Sequence, residues 1–206
     1  MNRRDAISRV ALIMGGAVIG ADFFISGCKT TSKKVNDLFT EDHVAFLNEV
    51  ADTILPTTSS PGAKAANVGQ FMAVMVHDCY EPKNQKTFVD GIAKLDDASQ
   101  KKYSSKFMDL NPQQRTDLLV VLDKEQKDFT KQRNKEIDAE KLQHKDDPKY
   151  KMTDRPNHYF RMMKELTLLG YFTSEIGATK ALRYVAVPGH YDGCVPYKKG
   201  DKAWAT

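Results

Sequence analysis

The chain has 206 residues, with 31 Lys and Arg against 27 Asp and Glu, a net charge of +4 and 41% hydrophobic residues. At roughly 100–200 residues per domain this is one globular domain, too small to hold a large cofactor enzyme by itself and long enough to bury about two-thirds of its surface. The basic excess is small and interleaved with acid, as in Asp123-Lys124-Glu125-Gln126-Lys127-Asp128, so there is no electrostatic footprint for a nucleic acid.

Residues 1–27 read as an export signal. A positive start containing Arg3 and Arg4 precedes an apolar run of 16 residues from Val10 to Ile25. Gly15, Gly16, Gly20 and Asp22 interrupt that run, which falls short of the ~20 apolar residues a spanning helix needs. The Arg3-Arg4 pair ahead of a weakly hydrophobic, Gly-containing run resembles a bacterial twin-arginine signal, whose transport system carries folded cargo. Asp5, Ala6 and Ser8 depart from the full pattern and leave the general secretory route open.

Ile25-Ser26-Gly27-Cys28 resembles a lipobox, in which small residues admit a peptidase and the thiol carries the diacylglyceryl thioether. The expectation is an acylated Cys28 as the new N-terminus, a polar tether over 28–39 and a single domain over 40–206. The protein is then an exported, periplasmic, membrane-anchored lipoprotein. In that oxidising compartment Cys79 and Cys194 can pair, stay free or bridge to another chain.

Punctuation and periodicity predict an all-α domain, an irregular bundle of about five to six helices with a loop-rich C-terminal tail. Thr40 caps a first helix with Glu41 and Asp42 in its first turn, Val44, Leu47, Val50, Ala51 and Ile54 on one face, and Pro56 as its stop. Pro61-Gly62 marks a loop. A second helix is expected over Val68–Tyr80, burying Phe71, Val74, Met75 and Cys79, and a third from near Gln85 with Phe88, Ile92 and Leu95 inward. Asn111-Pro112 starts a long helix with Leu118, Leu119 and Leu122 on one face. Its charged second half, up to Asp146-Asp147-Pro148, reads as exposed.

Asn157 is expected to cap a helix carrying Tyr159, Phe160, Met163, Leu166, Thr167 and Tyr171, and Thr173 or Ser174 another over Glu175–Tyr184. The tail, 187–206, holds too many Pro and Gly residues for a helix.

Motifs for chemistry are sparse. The five histidines form no HxxxH or HExxH, and neither Cys79 nor Cys194 lies in a CxxC. His77 and Cys79 do not face one another on a helix. There is no GxGxxG, P-loop, GxSxG or CxxCH, so no catalytic residue, cofactor or metal is expected in this chain.

Three stretches taken together resemble the gluconate 2-dehydrogenase subunit 3 family: Glu49-Val-Ala-Asp-Thr-Ile-Leu-Pro56 with Pro61-Gly62-Ala63; Gln114-Arg115-x-x-Leu118-Leu119; and Phe160-x-x-x-Lys164-x-Leu166-x-x-x-Gly170-Tyr171-Phe172-Thr173-Ser174-Glu175-x-Gly177. The resemblance implies a non-catalytic small subunit beside a large flavoprotein of the glucose-methanol-choline type that oxidises a sugar, sugar acid or alcohol. FAD is then expected in that partner, and haem c in a c-type cytochrome where one belongs to the complex. A flavin-loaded partner without its own signal crosses the membrane only as folded cargo of a subunit that carries one. Tyr171, Phe172, Tyr191, Cys194, Tyr197 and Trp204 are the candidate partner-interface residues, since aromatics are enriched at interface hot spots. The alternative is a freestanding periplasmic lipoprotein that binds a ligand or scaffolds other proteins.

Overall fold

The computed structural model describes residues 33–187, 189–190 and 193–205. Arg3, Arg4, Cys28 and Tyr191 therefore lie outside the described residues. Among those described, five α-helices, a 3-10 turn at Phe107–Asp109 and a π-helical turn at Gly177–Ala181 make up the regular structure, with no β-strand. The fold is all-α, as the periodicity predicts.

Helix α1 (Glu41–Ile54) begins where Thr40 is extended and its hydroxyl accepts from the His43 N–H at 3.3 Å. Phe46, Leu47, Val50 and Ala51 are buried on its inner face. Helix α2 (Val68–Cys79) buries Val68, Met72, Ala73 and Val76. That face is turned from the expected one: Val74 and Cys79 are exposed, and Phe71 and Met75 only half-buried. In an apolar stretch such as Val68–Val76 nearly every helical face carries hydrophobic residues, so neighbouring helices rather than periodicity choose the buried one.

Helix α3 (Pro82–Tyr103) starts a few residues earlier than predicted because Pro82 occupies the first turn, and Phe88, Ile92 and Leu95 face inward. Helix α4 (Pro112–Gln143) opens with a capping box: Asn111 Oδ1 accepts from Gln114 N at 2.9 Å while Gln114 Oε1 accepts from Asn111 N at 3.1 Å. Helix α5 (Tyr159–Phe172) is the hub, touching each of the other four. It buries Tyr159, Phe160, Met162, Met163, Leu166, Thr167 and Tyr171, and each large side chain contributes about 1.5–3 kcal/mol of hydrophobic stabilisation. Its cap is His158, not Asn157, with Nδ1 accepting from the Phe160 N–H at 3.3 Å.

The second half of α4 is mostly exposed, as expected, with Thr130, Arg133 and Ile137 half-buried, but Glu140 is only 8% exposed. Residues 150–155 fold back over it: the Thr153 N–H donates at 2.6 Å, the Tyr150 hydroxyl at 2.8 Å, and Arg155 Nη1 pairs with its other oxygen. The Thr153 amide first, then Arg155 and Tyr150, hold the Glu140 carboxyl down at about 2. Asp123 reaches the same value: burial pushes it up, and hydrogen bonds from Lys127, Lys164 and Gln126 outweigh that. Both carboxyls titrate lower when folded than their ordinary values of 4.5 and 3.8, so the stability they add is present above those values and lost as pH falls toward 2. Urea midpoints are expected to be flat from pH 7 to about 5 and to drop steadily from about 4.5 to 2. Glu140→Gln should flatten that drop, and an unchanged pH profile in the variant would contradict this assignment.

Candidate functional site

The three motif stretches meet at one corner of the bundle, through contacts that reach across as many as 110 positions in the chain. The junction starts at the C-terminal end of α1. Pro56 ends the helix, and the loop after it returns so that the Ala63 N–H donates to the Leu55 carbonyl at 2.9 Å and the Gly62 N–H to the Thr57 hydroxyl at 3.1 Å. This places the Pro61 carbonyl where the Tyr171 hydroxyl of α5 donates to it at 2.5 Å. The first and third motifs are tied by that bond.

The second motif joins through Arg115. Its Nη1 lies 2.5 Å from Glu49 Oε2 of α1, Nη2 donates to the Met108 carbonyl at 2.6 Å and Nε to the Phe107 carbonyl at 3.2 Å. The guanidinium also lies 5.4 Å from the centre of the Phe107 ring. Lys64 pairs with the other Glu49 oxygen. Burial pushes the Glu49 carboxyl up, but Lys64 and Arg115 outweigh it and the net shift is downward. The planar Arg fork serves this node because one side chain satisfies a carboxylate and two carbonyls at once.

The third motif closes α5. Ser174 Oγ donates to the Tyr171 carbonyl at 2.6 Å and accepts from the Gly177 N–H at 3.0 Å, turning the chain into the π-helical turn. Gly177 sits so close beneath α5 that a Cβ there would fall 1.8 Å from the Tyr171 oxygen. The expected helix over Glu175–Tyr184 is therefore a short turn ending at Ala181, and Tyr184 is exposed. Lys164 pairs with Asp123 of α4 at 2.6 Å, so the motif cation links α5 to α4.

A cavity of about 630 Å³ opens between α3, α4 and residues 154–159. Its charged walls pair across it, Lys83 with Asp154 at 3.5 Å and Arg155 with Glu136 at 3.7 Å. His158 stands on it with Nε2 3.5 Å from Glu125. Burial pushes the His158 imidazole down against the opposing pull of Glu125. A neutral ring with its proton on Nε2 fits that environment, because Nδ1 accepts the Phe160 N–H. Among the described residues no group of three or more His, Cys, Asp or Glu is placed to hold a metal ion, and no helix is long and apolar enough to cross a membrane.

The family model for gluconate 2-dehydrogenase subunit 3 matches residues 41–189, well over half of the 206. The chain belongs to this family. No curated protein and no solved structure gives a match. The family match spans all five α-helices and the π-helical turn, and it contains each of the three motif stretches that meet at the junction.

The residues singled out for a partner interface do not form one cluster with the junction. Tyr171 is 4% exposed with its hydroxyl spent on Pro61, so in this subunit 3 chain it belongs to the core. Phe172, Cys194, Tyr197 and Trp204 are exposed. Cys79 is a free, exposed thiol, so it is not bridged to Cys194. The sequence reading missed two features: the Glu140 node described above, and a clamp at the base of the tail. There the Arg183 N–H donates to the Ala203 carbonyl at 2.8 Å, the Ala205 N–H donates to the Arg183 carbonyl at 2.9 Å, and the Arg183 guanidinium stacks 4.4 Å over the Trp204 ring. An Arg and a Trp 21 positions apart carry no local pattern, so no periodicity argument could have found them.

Proposed function

We propose that this protein is the non-catalytic small subunit of a flavin-dependent sugar, sugar-acid or alcohol dehydrogenase complex, assisting maturation and twin-arginine export of a large FAD-bearing subunit and tethering it to a membrane through acylated Cys28. The family match over residues 41–189 carries this reading. It is supported by how the motif side chains are used: Glu49, Arg115, Lys164, Tyr171 and Ser174 are all engaged within the chain, as expected of residues that build a scaffold. FAD belongs to the partner in this reading, and haem c to a cytochrome where the complex has one.

The test is replacement of Arg3 and Arg4 by Lys in cells that also make the large subunit. Both proteins are expected to remain in the cytoplasm, whereas the unaltered pair is exported together and co-purifies. Mass spectrometry of the exported chain should find a lipid-modified Cys28 at its N-terminus. Export of the doubly substituted chain at the normal level, or purification without any flavoprotein, would favour the freestanding lipoprotein instead.

A further inference from the structure

The net charge of the processed chain is concentrated at one end. Residues 28–176 carry 23 Lys and Arg against 23 Asp and Glu, whereas residues 177–206 carry five against two. The body is neutral and the C-terminal segment holds the whole excess. The same segment displays apolar and aromatic side chains outward: Tyr184 is 52% exposed, Val187 82%, Tyr197 75% and Trp204 50%. Lys198 and Lys199, next to Tyr197, are exposed and form no ion pair among the described residues.

This is an organised surface. The Arg183–Trp204 clamp ties the two ends of the segment together, and Lys202 Nζ donates to the Lys180 carbonyl, holding the basic residues over the end of the π-helical turn. The Lys198 N–H donates to Asp201 Oδ2 at 3.0 Å, which turns the chain between them.

We infer that the C-terminal segment is a membrane-facing surface that lies on an anionic phospholipid bilayer. Charge complementarity carries the choice of occupant. Lysine is depleted at protein–protein interfaces. Basic residues beside exposed Trp and Tyr match the headgroup region, where amphipathic rings settle and each Lys or Arg is attracted by anionic lipid. With Cys28 acylated as proposed above, the six residues from Cys28 to Lys34 span no more than about 22 Å at about 3.6 Å per residue.

Among the described residues the buried core runs from Phe39 to Tyr171, so the folded body begins inside the tether expected over 28–39, and the chain from Cys28 onward contains that core. That chain, carrying Cys28→Ser so that no lipid is attached, is mixed with vesicles of phosphatidylcholine alone or of phosphatidylcholine and phosphatidylglycerol in equal parts. Trp204 is the only tryptophan and reports directly on the segment. With the anionic vesicles its emission is expected to shift to the blue and the protein to co-sediment, with little of either on neutral vesicles or at high salt. Lys198→Gln with Lys199→Gln should weaken binding by about 25-fold, at roughly five-fold per lysine. The same exchange at the exposed pair Lys145 and Lys149 should change it little.

No emission shift and no co-sedimentation on anionic vesicles at low salt would overturn the inference. So would equal weakening by both pairs of substitutions. If the Lys198/Lys199 variant binds vesicles normally but no longer co-purifies with the large flavoprotein, the segment is a protein dock and the lipid assignment fails. Loss of vesicle binding with the flavoprotein retained leaves the accessory-subunit reading intact, so the two readings fail separately.

Discussion

Gly177→Val is expected to lower the unfolding free energy by about 3 kcal/mol, the upper part of the range for forcing atoms into a packed site. The first carbon added would lie 1.8 Å from the Tyr171 carbonyl oxygen, and that oxygen is backbone at the end of the hub helix, so no side-chain rotation relieves the clash. The π-helical turn must move away from α5, which breaks the Ser174 bridge between the Tyr171 carbonyl and the Gly177 N–H. For a domain of this size the melting temperature should fall by about 6–12 °C. Gly200→Ala is the control: φ there is +97° but nothing lies within 4 Å, so only the left-handed backbone is penalised, at about 1–2 kcal/mol. Thermal unfolding followed by circular dichroism distinguishes the two, and a Gly177→Val effect no larger than the control would show that the turn does not pack as described.

Arg115→Ala should cost about 2–3 kcal/mol, in the range of charge-assisted hydrogen bonds whose loss leaves partners unsatisfied. Glu49 Oε2 and the Met108 carbonyl lose the Arg115 donor at once, and the Phe107 carbonyl is left with the Leu110 N–H at 3.3 Å alone. The Arg115 and Glu49 side chains are 16% and 17% exposed, so water replaces these bonds poorly. Glu49 keeps Lys64, which is 55% exposed and screened by solvent, so that pair offsets little of the loss. Arg115→Lys should recover less than half of the stability, because a point charge cannot serve a carboxylate and two carbonyls together. A double-mutant cycle with Glu49→Gln is expected to show coupling of about 1–2 kcal/mol. Arg115→Ala with a change below about 0.5 kcal/mol would remove the junction from any structural role.

The helices were legible wherever a local signal is strong. Asn111-Pro112 with Gln114 three residues on specifies a start that needs no tertiary help, since donor and acceptor both lie within one turn. Thr40 before Glu41 and Asp42 does the same for α1. Where the local signal is weak, the structure departs from the pattern: α2 turns a different face inward, and α5 is capped by the imidazole of His158 and not by Asn157. The imidazole caps through its neutral form, which burial of the ring favours, and burial is not a local property.

The motif residues were identifiable in the sequence as a set, but their purpose was not. Tyr171 is aromatic and near the C-terminus, which suited a docking surface equally well. Its burial, and the bond to a carbonyl 110 residues away, make it part of the core.

By itself, then, the amino-acid sequence determined the all-α class, most helix starts and stops, the family, and the segregation of positive charge at the C-terminus, because each is either a short-range interaction or a sum over residues. The tertiary structure decided which face of α2 is buried, why Glu140 is an interior carboxylate on a charged helix, how Arg115 and Tyr171 join three distant motifs, and where Arg183 meets Trp204. Each of these depends on groups brought together across ten to 110 positions of the chain, and their energies exist only once the chain has folded.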